Sequence, residues 1–196
     1  MARRLIHSLL FTALVGSLGV VAGPCLPPID NERPIKGGDF EDGTNPFTYS
    51  GDDEVGGSIV DGGYQSDKKF KSFTMIDNNL LEMYQDIRTI PFTRYYCTYY
   101  WYFDSYYRVL YDDGYHYVPY LRIYKNYETY AIGNRYPTGP GQTGDWLVGN
   151  FEFTSSATGL DRIWFDAASP QPIDGPTGGE NNLSLDQISC EIIQSK

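Results

Sequence analysis

The alternation of hydrophobic and polar positions along this chain predicts strands rather than helices. The pattern is clearest in residues 93–107, which contain no glycine or proline and consist mainly of aromatic and β-branched residues. Such residues suit a pleated, half-buried surface. Because successive side chains of a strand point to opposite faces, one face of this segment carries Cys97, Trp101 and Phe103. We assign that face to the core.

The other face of the same segment is a row of tyrosines that ends in an acid, and it comprises Tyr96, Thr98, Tyr100, Tyr102 and Asp104. Such a row is typical of a surface that contacts a flat, hydroxylated ligand. The alternative is a central strand covered on both faces, in which each tyrosine hydroxyl has a partner at a sheet edge. This strand alone leaves both interpretations open.

Six further segments show strand-like patterns, at residues 69–76, 81–87, 117–124, 146–154, 160–165 and 183–193. In the segment 117–124, Leu121 and Ile123 are expected to face inward and Tyr120, Arg122 and Tyr124 outward. Glycine- and proline-rich loops separate the segments, and none has the 3.6-residue apolar period of a helix. We therefore predict an all-β protein, a jelly-roll β-sandwich of about eight or nine strands.

The first part of the chain has the pattern of a processing segment. Residues 1–22 contain two arginines, then an apolar run, then small residues at a cleavage point, which predicts a secretory signal peptide. A permanent membrane anchor is less favoured because the apolar run is short. Residues 23–34 are a proline-rich leader, and residues 35–193 are predicted to form a single β-sandwich domain. The protein is therefore expected to be secreted and extracellular.

The charge balance excludes two classes of partner. The chain has 25 Asp and Glu against 15 Lys and Arg, a formal net charge of −10. Nucleic acids and anionic membrane surfaces both require a basic surface on the protein. We therefore expect neither as a partner.

Three cysteines lie beyond the predicted signal peptide, at Cys25, Cys97 and Cys190. In an oxidising compartment we expect one disulfide and one remaining thiol. We favour a bond between Cys97 and Cys190 because both lie in strand-like segments. Closing so long a loop would stabilise the fold by roughly 4–5 kcal/mol. The sequence leaves open whether Cys25 is free or pairs instead.

The sequence offers little for catalysis. His116 is the one histidine beyond the signal peptide, which excludes a histidine-based metal cluster and argues against Ser-His-Asp and Cys-His arrangements. Glycoside hydrolysis needs only two carboxylates in a cleft, but no pair stands out among the acids. We therefore expect a protein that is not an enzyme, although the sequence leaves a glycoside-active enzyme open.

Several segments resemble the CenC-like carbohydrate-binding modules of the galactose-binding-domain-like jelly rolls. Gly37–Gly43 and Pro46–Gly51 are similar to the two opening motifs of that family, in that order. Met83–Ile87, followed by an aromatic strand at Tyr95–Phe103, resembles the central motif, and Leu185–Ile188 resembles the closing strand. The resemblance spans residues 35–192, and the general style of the sequence is that of a fungal secreted protein.

The resemblance also implies a structural calcium ion. In the family, carboxylates of the opening motif meet an Asp of the last strand, which here names Glu41 and Asp186, with Asp39 as a neighbour. A hard cation binds several oxygens, including carboxylates and loop carbonyls. The alternative is that these acids are solvated or cap turns.

Two functions are compatible with these observations. In the first, a secreted, non-catalytic module binds polysaccharide through a tyrosine-rich sheet face, because aromatic rings stack on sugars and polar neighbours contact hydroxyls. If the two outward-facing strands are adjacent, that face comprises Tyr100, Tyr102, Tyr120, Arg122 and Tyr124. The second is a structural or protein-interaction role at a cell surface or wall on the same fold, because fold does not fix function.

Overall fold

A computed structural model describes residues 33–50, 56–73, 75, 80–110, 114–126, 128–170 and 181–193. The predicted signal peptide, most of the proline-rich leader and Cys25 lie outside these residues. Within the described ranges, no helix has the length and apolar character needed to cross a membrane.

The described residues form twelve strands: β1 (Thr48–Tyr49), β2 (Gly57–Asp61), β3 (Lys68–Ser72), β4 (Leu81–Arg88), β5 (Arg94–Phe103), β6 (Val109–Leu110), β7 (His116–Tyr117), β8 (Tyr120–Lys125), β9 (Gly133–Arg135), β10 (Leu147–Thr154), β11 (Leu160–Ala168) and β12 (Leu183–Ile192). The one short 3₁₀ helix in this part of the chain spans Pro140–Gln142. Eight of these strands have five or more residues. The predicted all-β architecture is therefore confirmed.

Ten of the strands form two antiparallel sheets of five strands each. The first sheet has the order β1-β4-β11-β8-β9, and the second has the order β10-β5-β12-β3-β2. The strands β6 and β7 form a separate two-stranded hairpin. Side chains from the inner faces of both sheets make one continuous hydrophobic core, so the fold is a β-sandwich.

The aromatic strand β5 contributes five buried residues to this core. Tyr95, Cys97, Tyr99, Trp101 and Phe103 are each at most 2 % exposed, which confirms the inward face assigned from the sequence. Rings from opposite sheets meet edge to face between the layers, where Tyr99 on β5 is 6.3 Å from Phe165 on β11. Aromatic residues thus fill much of the space between the sheets.

The disulfide predicted from the sequence is present. Cys97 on β5 and Cys190 on β12 are directly paired in the register of the second sheet, with their Cα atoms 4.0 Å apart. The bond closes a sequence separation of 93 residues and links two neighbouring strands of the core.

The segment before β1 is attached to β4 of the first sheet and to β12, the central strand of the second sheet. The Gln85 side chain on β4 accepts from Lys36 N at 2.8 Å and donates to Lys36 O at 2.9 Å. On the other side, Ile188 N donates to Gly38 O at 2.9 Å. This second contact lies at a bulge in β12, where Gln187 has a φ of 51° and the register with β5 shifts.

Some strand boundaries predicted from the sequence were wrong. The segment 117–124 divides into β7 and β8, because Pro119 lies between them and proline has no N–H to donate to a ladder. β3 ends at Ser72 instead of residue 76. Two strands, β2 and β9, lie in glycine-containing stretches outside the segments for which strands were predicted.

Candidate functional site

The five residues predicted to form one binding surface lie on two opposite faces of the sandwich. Tyr100 and Tyr102 are on β5 in the second sheet, whereas Tyr120, Arg122 and Tyr124 are on β8 in the first sheet. The assumption under which they would form one face, that the two strands are adjacent, does not hold. Each set alternates with buried core residues of its own strand and therefore points outward from its own sheet.

Three aromatic residues lie side by side across the outer face of the first sheet. Trp164 on β11 is directly opposite Tyr84 on β4 and, on its other side, Tyr124 on β8. We call these three residues the Trp164 row. The ring centroids of Tyr84 and Trp164 are 4.6 Å apart. Trp164 is 8 % exposed and is flanked by the two partly exposed tyrosines.

Arginine side chains pack over two tyrosine rings of this face. The Arg162 guanidinium lies 3.9 Å from the ring centroid of Tyr84 and donates to both oxygens of Asp86, at 2.5 and 2.9 Å. Arg122 lies 4.2 Å over the ring of Tyr120. Cation–π contacts of this kind fix the rings in place and leave polar N–H groups at their edges.

Charged residues form a second row beside the aromatic one. Asp166 on β11 is directly opposite Glu82 on β4 and Arg122 on β8, and we call these three residues the Asp166 row. Burial raises the pKa of Asp166 to about 6, the Glu82 carboxylate adds to the rise, and Arg122 opposes it. The Oδ1 atom of Asp166 is buried and has no hydrogen-bond partner among the described residues.

A cavity of about 240 Å³ lies next to these two rows and is lined by Tyr124, Glu128, Thr129 and Asp166. Its size is below the ~300–1,000 Å³ typical of pockets for drug-sized ligands. An aromatic ring, a hydroxyl and two carboxylates thus face a small space at the edge of the Trp164 row. Such a space suits one small polar ring better than a deeply enclosed ligand.

The outer face of the second sheet has its own aromatic cluster. The ring of Tyr64 stacks on Tyr100 at 3.6 Å, and Trp146 meets Tyr64 and Tyr102 edge to face at 6.2 and 4.8 Å. The Lys69 ammonium donates to the Tyr102 hydroxyl at 2.6 Å and lies 5.7 Å from the ring of Trp146. This cluster is therefore filled by its own side chains.

The contacts in this cluster match the covered-strand interpretation for one of the two predicted tyrosines. Tyr102 is 8 % exposed and its hydroxyl has a partner in Lys69. Tyr100 remains partly exposed beneath Tyr64. The acid that ends the tyrosine row, Asp104, pairs with Lys71 at 2.7 Å.

The residues named for calcium lie near the bulge of β12. Asp186 is fully buried, and its Oδ2 atom accepts hydrogen bonds from Tyr64 N and Ser66 Oγ, both at 2.6 Å. Burial raises the pKa of Asp186, those hydrogen bonds oppose the rise, and Glu41 adds to it. Glu41 itself accepts from the backbone N–H of Lys68 at 3.0 Å.

Oxygen atoms of several kinds surround Gly63 at this place. A methyl group added there would lie 2.1 Å from Lys68 O, 2.1 Å from Ser66 Oγ and 2.6 Å from Asp186 Oδ2. Carboxylate, carbonyl and hydroxyl oxygens are the kinds of ligand that Ca²⁺ prefers, and Asp186 is the one carboxylate among these three groups. Asp39 is exposed and lines a different cavity with Ile188. Among the described residues, no group of three or more His, Cys, Asp and Glu is arranged to hold a metal.

The sequence interpretation missed Tyr84, Trp164 and Asp166 on the first sheet and Tyr64 and Trp146 on the second. For the first three residues a signal existed, because they alternate with core residues of β4 and β11. For Trp146 the same signal existed, because it opens the predicted segment 146–154 and alternates with the inward Phe151 and Phe153. For Tyr64 there was none, because it reaches the sheet from a loop position.

No protein-family model matches the chain, and no curated protein matches it. Solved structures of similar fold include carbohydrate-binding modules. The CBM22-2 xylan-binding domain from Paenibacillus barcinonensis Xyn10C has a TM-score of 0.50 and 14 % identity, over 80 % of this chain and 98 % of that one. TmCBM61 in complex with β-1,4-galactotriose has a TM-score of 0.52 and 14 % identity, over 83 % of this chain and 100 % of that one.

A third similar structure, the CBM22-1–GH10 modules of Clostridium thermocellum xylanase 10B complexed with xylohexaose, has a TM-score of 0.55 and 8 % identity. The match covers 83 % of this chain and 29 % of that structure's chain. At these identities the likeness shows the fold alone. The protein is therefore a jelly-roll β-sandwich of the kind found in carbohydrate-binding modules.

Proposed function

We propose that this protein is a secreted, non-catalytic carbohydrate-binding protein whose binding face is the outer face of the first sheet. The observation that supports this most directly is the Trp164 row, in which Tyr84, Trp164 and Tyr124 occupy one register position on three adjacent strands. Neighbouring strands lie ~4.8 Å apart, so the row extends about 10 Å across the sheet. The rings of Tyr84 and Trp164 are tilted by 43°, and the partly exposed tyrosines at the two ends of the strip are the rings that would contact a sugar chain lying across the strands.

The polar groups beside the strip supply the second requirement for sugar recognition. Sugar hydroxyls need both donors and acceptors, and the Asp166 row offers the Arg122 guanidinium next to the Asp166 carboxylate. Asp166 also lines the adjacent cavity, where a ligand hydroxyl would donate a hydrogen bond to its carboxylate. Aromatic stacking and a few placed polar groups are the usual composition of a shallow ligand site.

Structures of the same fold bind polysaccharides or their fragments, as the xylan-binding domain and the galactotriose complex illustrate. This agrees with a glycan ligand here. Secretion follows from the pattern of residues 1–22, and the non-catalytic role from the absence of a recognisable catalytic arrangement in the sequence. The alternative remains a cell-surface or wall protein that binds other proteins through the same face.

The test is retention of the purified full chain on insoluble polysaccharides and on arrayed glycans, with circular dichroism to verify folding. We expect Tyr124→Ala to lower affinity about tenfold, because it removes one ring from the strip. The matched control is Tyr96→Ala, at a partly exposed tyrosine on the outer face of the second sheet. We expect this variant to bind within about twofold of the wild type, as surface changes away from a site usually do.

A third variant, Tyr100→Ala, decides between the two faces. The binding role predicted from the sequence for Tyr100 and Tyr102 stays a prediction, and this variant tests it. Loss of binding in Tyr100→Ala with full binding in Tyr124→Ala would move the site to the second sheet. A folded wild type that binds no glycan would favour the protein-interaction role, and release of reducing ends from bound glycan would show an enzyme.

We also propose that Glu41 and Asp186 hold a structural calcium ion with the Lys68 carbonyl. Such an ion would neutralise two carboxylates that disfavour each other and would fasten the segment before β1 to the last strand. Asp39 is proposed only as a neighbour of this site.

A further inference from the structure

Negative groups predominate around the Trp164 row. Glu82 is directly opposite Asp166, and Glu128 lines the same cavity as Asp166. Three cations lie nearby, but two of them are paired with acids. The Lys125 ammonium contacts Glu128 at 3.2 Å, and the Arg162 guanidinium, which lies over the rings of Tyr84 and Trp164, donates to both oxygens of Asp86. Arg122 is the remaining cation of the Asp166 row, and its guanidinium is stacked on a tyrosine ring.

Asp166 is the acid at which a cationic ligand group would gain most. Its Oδ1 atom is buried without a hydrogen-bond partner in the described part of the chain, and the carboxyl is partly removed from water. Asp166 lines the cavity beside the Trp164 row, and a hydrogen bond from an ammonium to a carboxylate is roughly twice as strong as one from a neutral hydroxyl. The ammonium would also reduce the repulsion between Asp166 and Glu82.

We propose that the first-sheet face selects glycans that carry protonated amines, such as chains of glucosamine with free amino groups, over neutral glycans. This inference rests on the proposed function. The Trp164 row stacks on the sugar rings, and Asp166, aided by Glu82 and Glu128, accepts the amine. Glycans with carboxylates are disfavoured for the same reason, since they would bring a third negative group beside Asp166 and Glu82.

The experiment compares two β-1,4-linked hexasaccharides that differ only at one position of each ring. The glucosamine hexasaccharide has an amine where cellohexaose has a hydroxyl. Calorimetry of the full chain at pH 6.5 and about 0.15 M salt, where distant surface charges are screened, should give roughly five- to tenfold tighter binding of the amine form. Asp166→Asn should bring that ratio to within about twofold of one.

Two further variants separate a local effect from the overall negative charge of the chain. Glu191→Gln removes an exposed carboxylate from the second sheet and should leave the ratio unchanged. Glu128→Gln, at an exposed position of the cavity, should lower the ratio and provides a second test if Asp166→Asn does not fold.

Three results would overturn the inference: cellohexaose binding as tightly as the amine form, folded Asp166→Asn keeping the full ratio, or Glu191→Gln lowering the ratio as much as the cavity variants. Neutral glycan binding that is lost in Tyr124→Ala, without an advantage for the amine, would overturn the inference and leave the proposed function standing. Absence of binding to every glycan by the folded protein would overturn both.

Discussion

Asp166 on β11 lies directly opposite Glu82 on β4, so two carboxylates share one position on the outer face of the first sheet. Like charges at directly paired positions destabilise a sheet. Burial and this repulsion together raise the pKa of Asp166 from the ordinary 3.8 to about 6, while Arg122 on the other neighbouring strand opposes the rise. Tyr120 responds to the same surroundings, since burial and Asp166 raise its pKa to about 12.

The raised pKa of Asp166 predicts a pH dependence of stability. The folded chain binds this proton more tightly than the unfolded chain, so Asp166 destabilises the fold as pH rises from about 4 to 6. The full shift corresponds to at most about 3 kcal/mol, and partial solvent access reduces this to about 1–2 kcal/mol. The Asp166→Asn variant should therefore have a larger free energy of unfolding than the wild type at pH 7.5. This difference should shrink as the pH falls toward 4.5.

Urea denaturation of both proteins at pH 4.5, 5.5 and 7.5 measures this difference. Asp86→Asn is not a suitable control, because Asp86 pairs with Arg162. Glu191→Gln, on the second sheet, is the matched acid-to-amide change. If the difference in free energy of unfolding between the wild type and Asp166→Asn stays constant over this pH range, the raised pKa of Asp166 is contradicted.

The close contact between Gly38 and β12 leaves no room for a side chain at this position of the segment before β1. A methyl group at this position would lie 2.2 Å from the Ile188 carbonyl oxygen, which is backbone and has no flexible side chain to move. Gly38→Ala should therefore separate this segment from the β12 bulge and destabilise the fold by about 3 kcal/mol. Gly139→Ala is the control, because Gly139 has extended backbone and no atom within 4 Å of an added methyl. Equal thermal midpoints for the two variants would contradict the described contact.

The inward and outward faces of the strands could be predicted from the sequence, and their order in the sheets could not. The inward face of β5 was identified correctly because Trp101, Cys97 and Phe103 alternate with polar or tyrosine positions. The same rule applied to β11 identifies Trp164 and Asp166 as outward, since Ile163 and Phe165 face the core. The alternation of apolar and polar residues predicts which side chains face the core, because successive side chains of a strand lie on opposite faces of the sheet.

The order of the strands in a sheet depends on contacts between segments that are distant in the sequence. A single sequence does not show which segments make these contacts. β5 and β8 have the same outward pattern of tyrosines, but β5 pairs with β10 and β12 whereas β8 pairs with β11 and β9. The five predicted binding residues were therefore divided between two faces. The loop residue Tyr64 covers part of the second face, and no periodic pattern reveals where a loop side chain will lie.

The disulfide between Cys97 and Cys190 predicts a large loss of stability on reduction. Removing a cross-link over a separation of 93 residues should lower the free energy of unfolding by about 4–5 kcal/mol in the chain-entropy model. The double variant Cys97→Ser, Cys190→Ser should therefore have a much lower urea midpoint than the wild type. A wild type treated with reductant should match that variant, and a midpoint that reductant leaves unchanged, with both thiols shown to be released, would contradict a stabilising role.

The proposed calcium site predicts that thermal stability depends on the ion. A ligand at 100 times its dissociation constant stabilises the folded state by about 2.7 kcal/mol, which for a domain of this size corresponds to a midpoint shift of roughly 5–10 °C. We therefore expect the midpoint of the wild type to fall when a chelator is added and to recover with Ca²⁺. Glu41→Gln should abolish this response, because an amide can still accept the Lys68 N–H bond but lacks the charge that attracts the cation.

Two variants of the same segment sharpen the calcium test. Asp42→Asn is the control, because Asp42 is exposed and its contacts are with the neighbouring Thr44. It should keep the full response to chelator. Asp39→Asn decides whether that acid belongs to the site, since a ligand would lose the response and an exposed bystander would keep it. A wild-type midpoint that neither chelator nor Ca²⁺ changes would mean that the hydrogen bonds from Tyr64, Ser66 and Gln187 hold Asp186 in place without an ion.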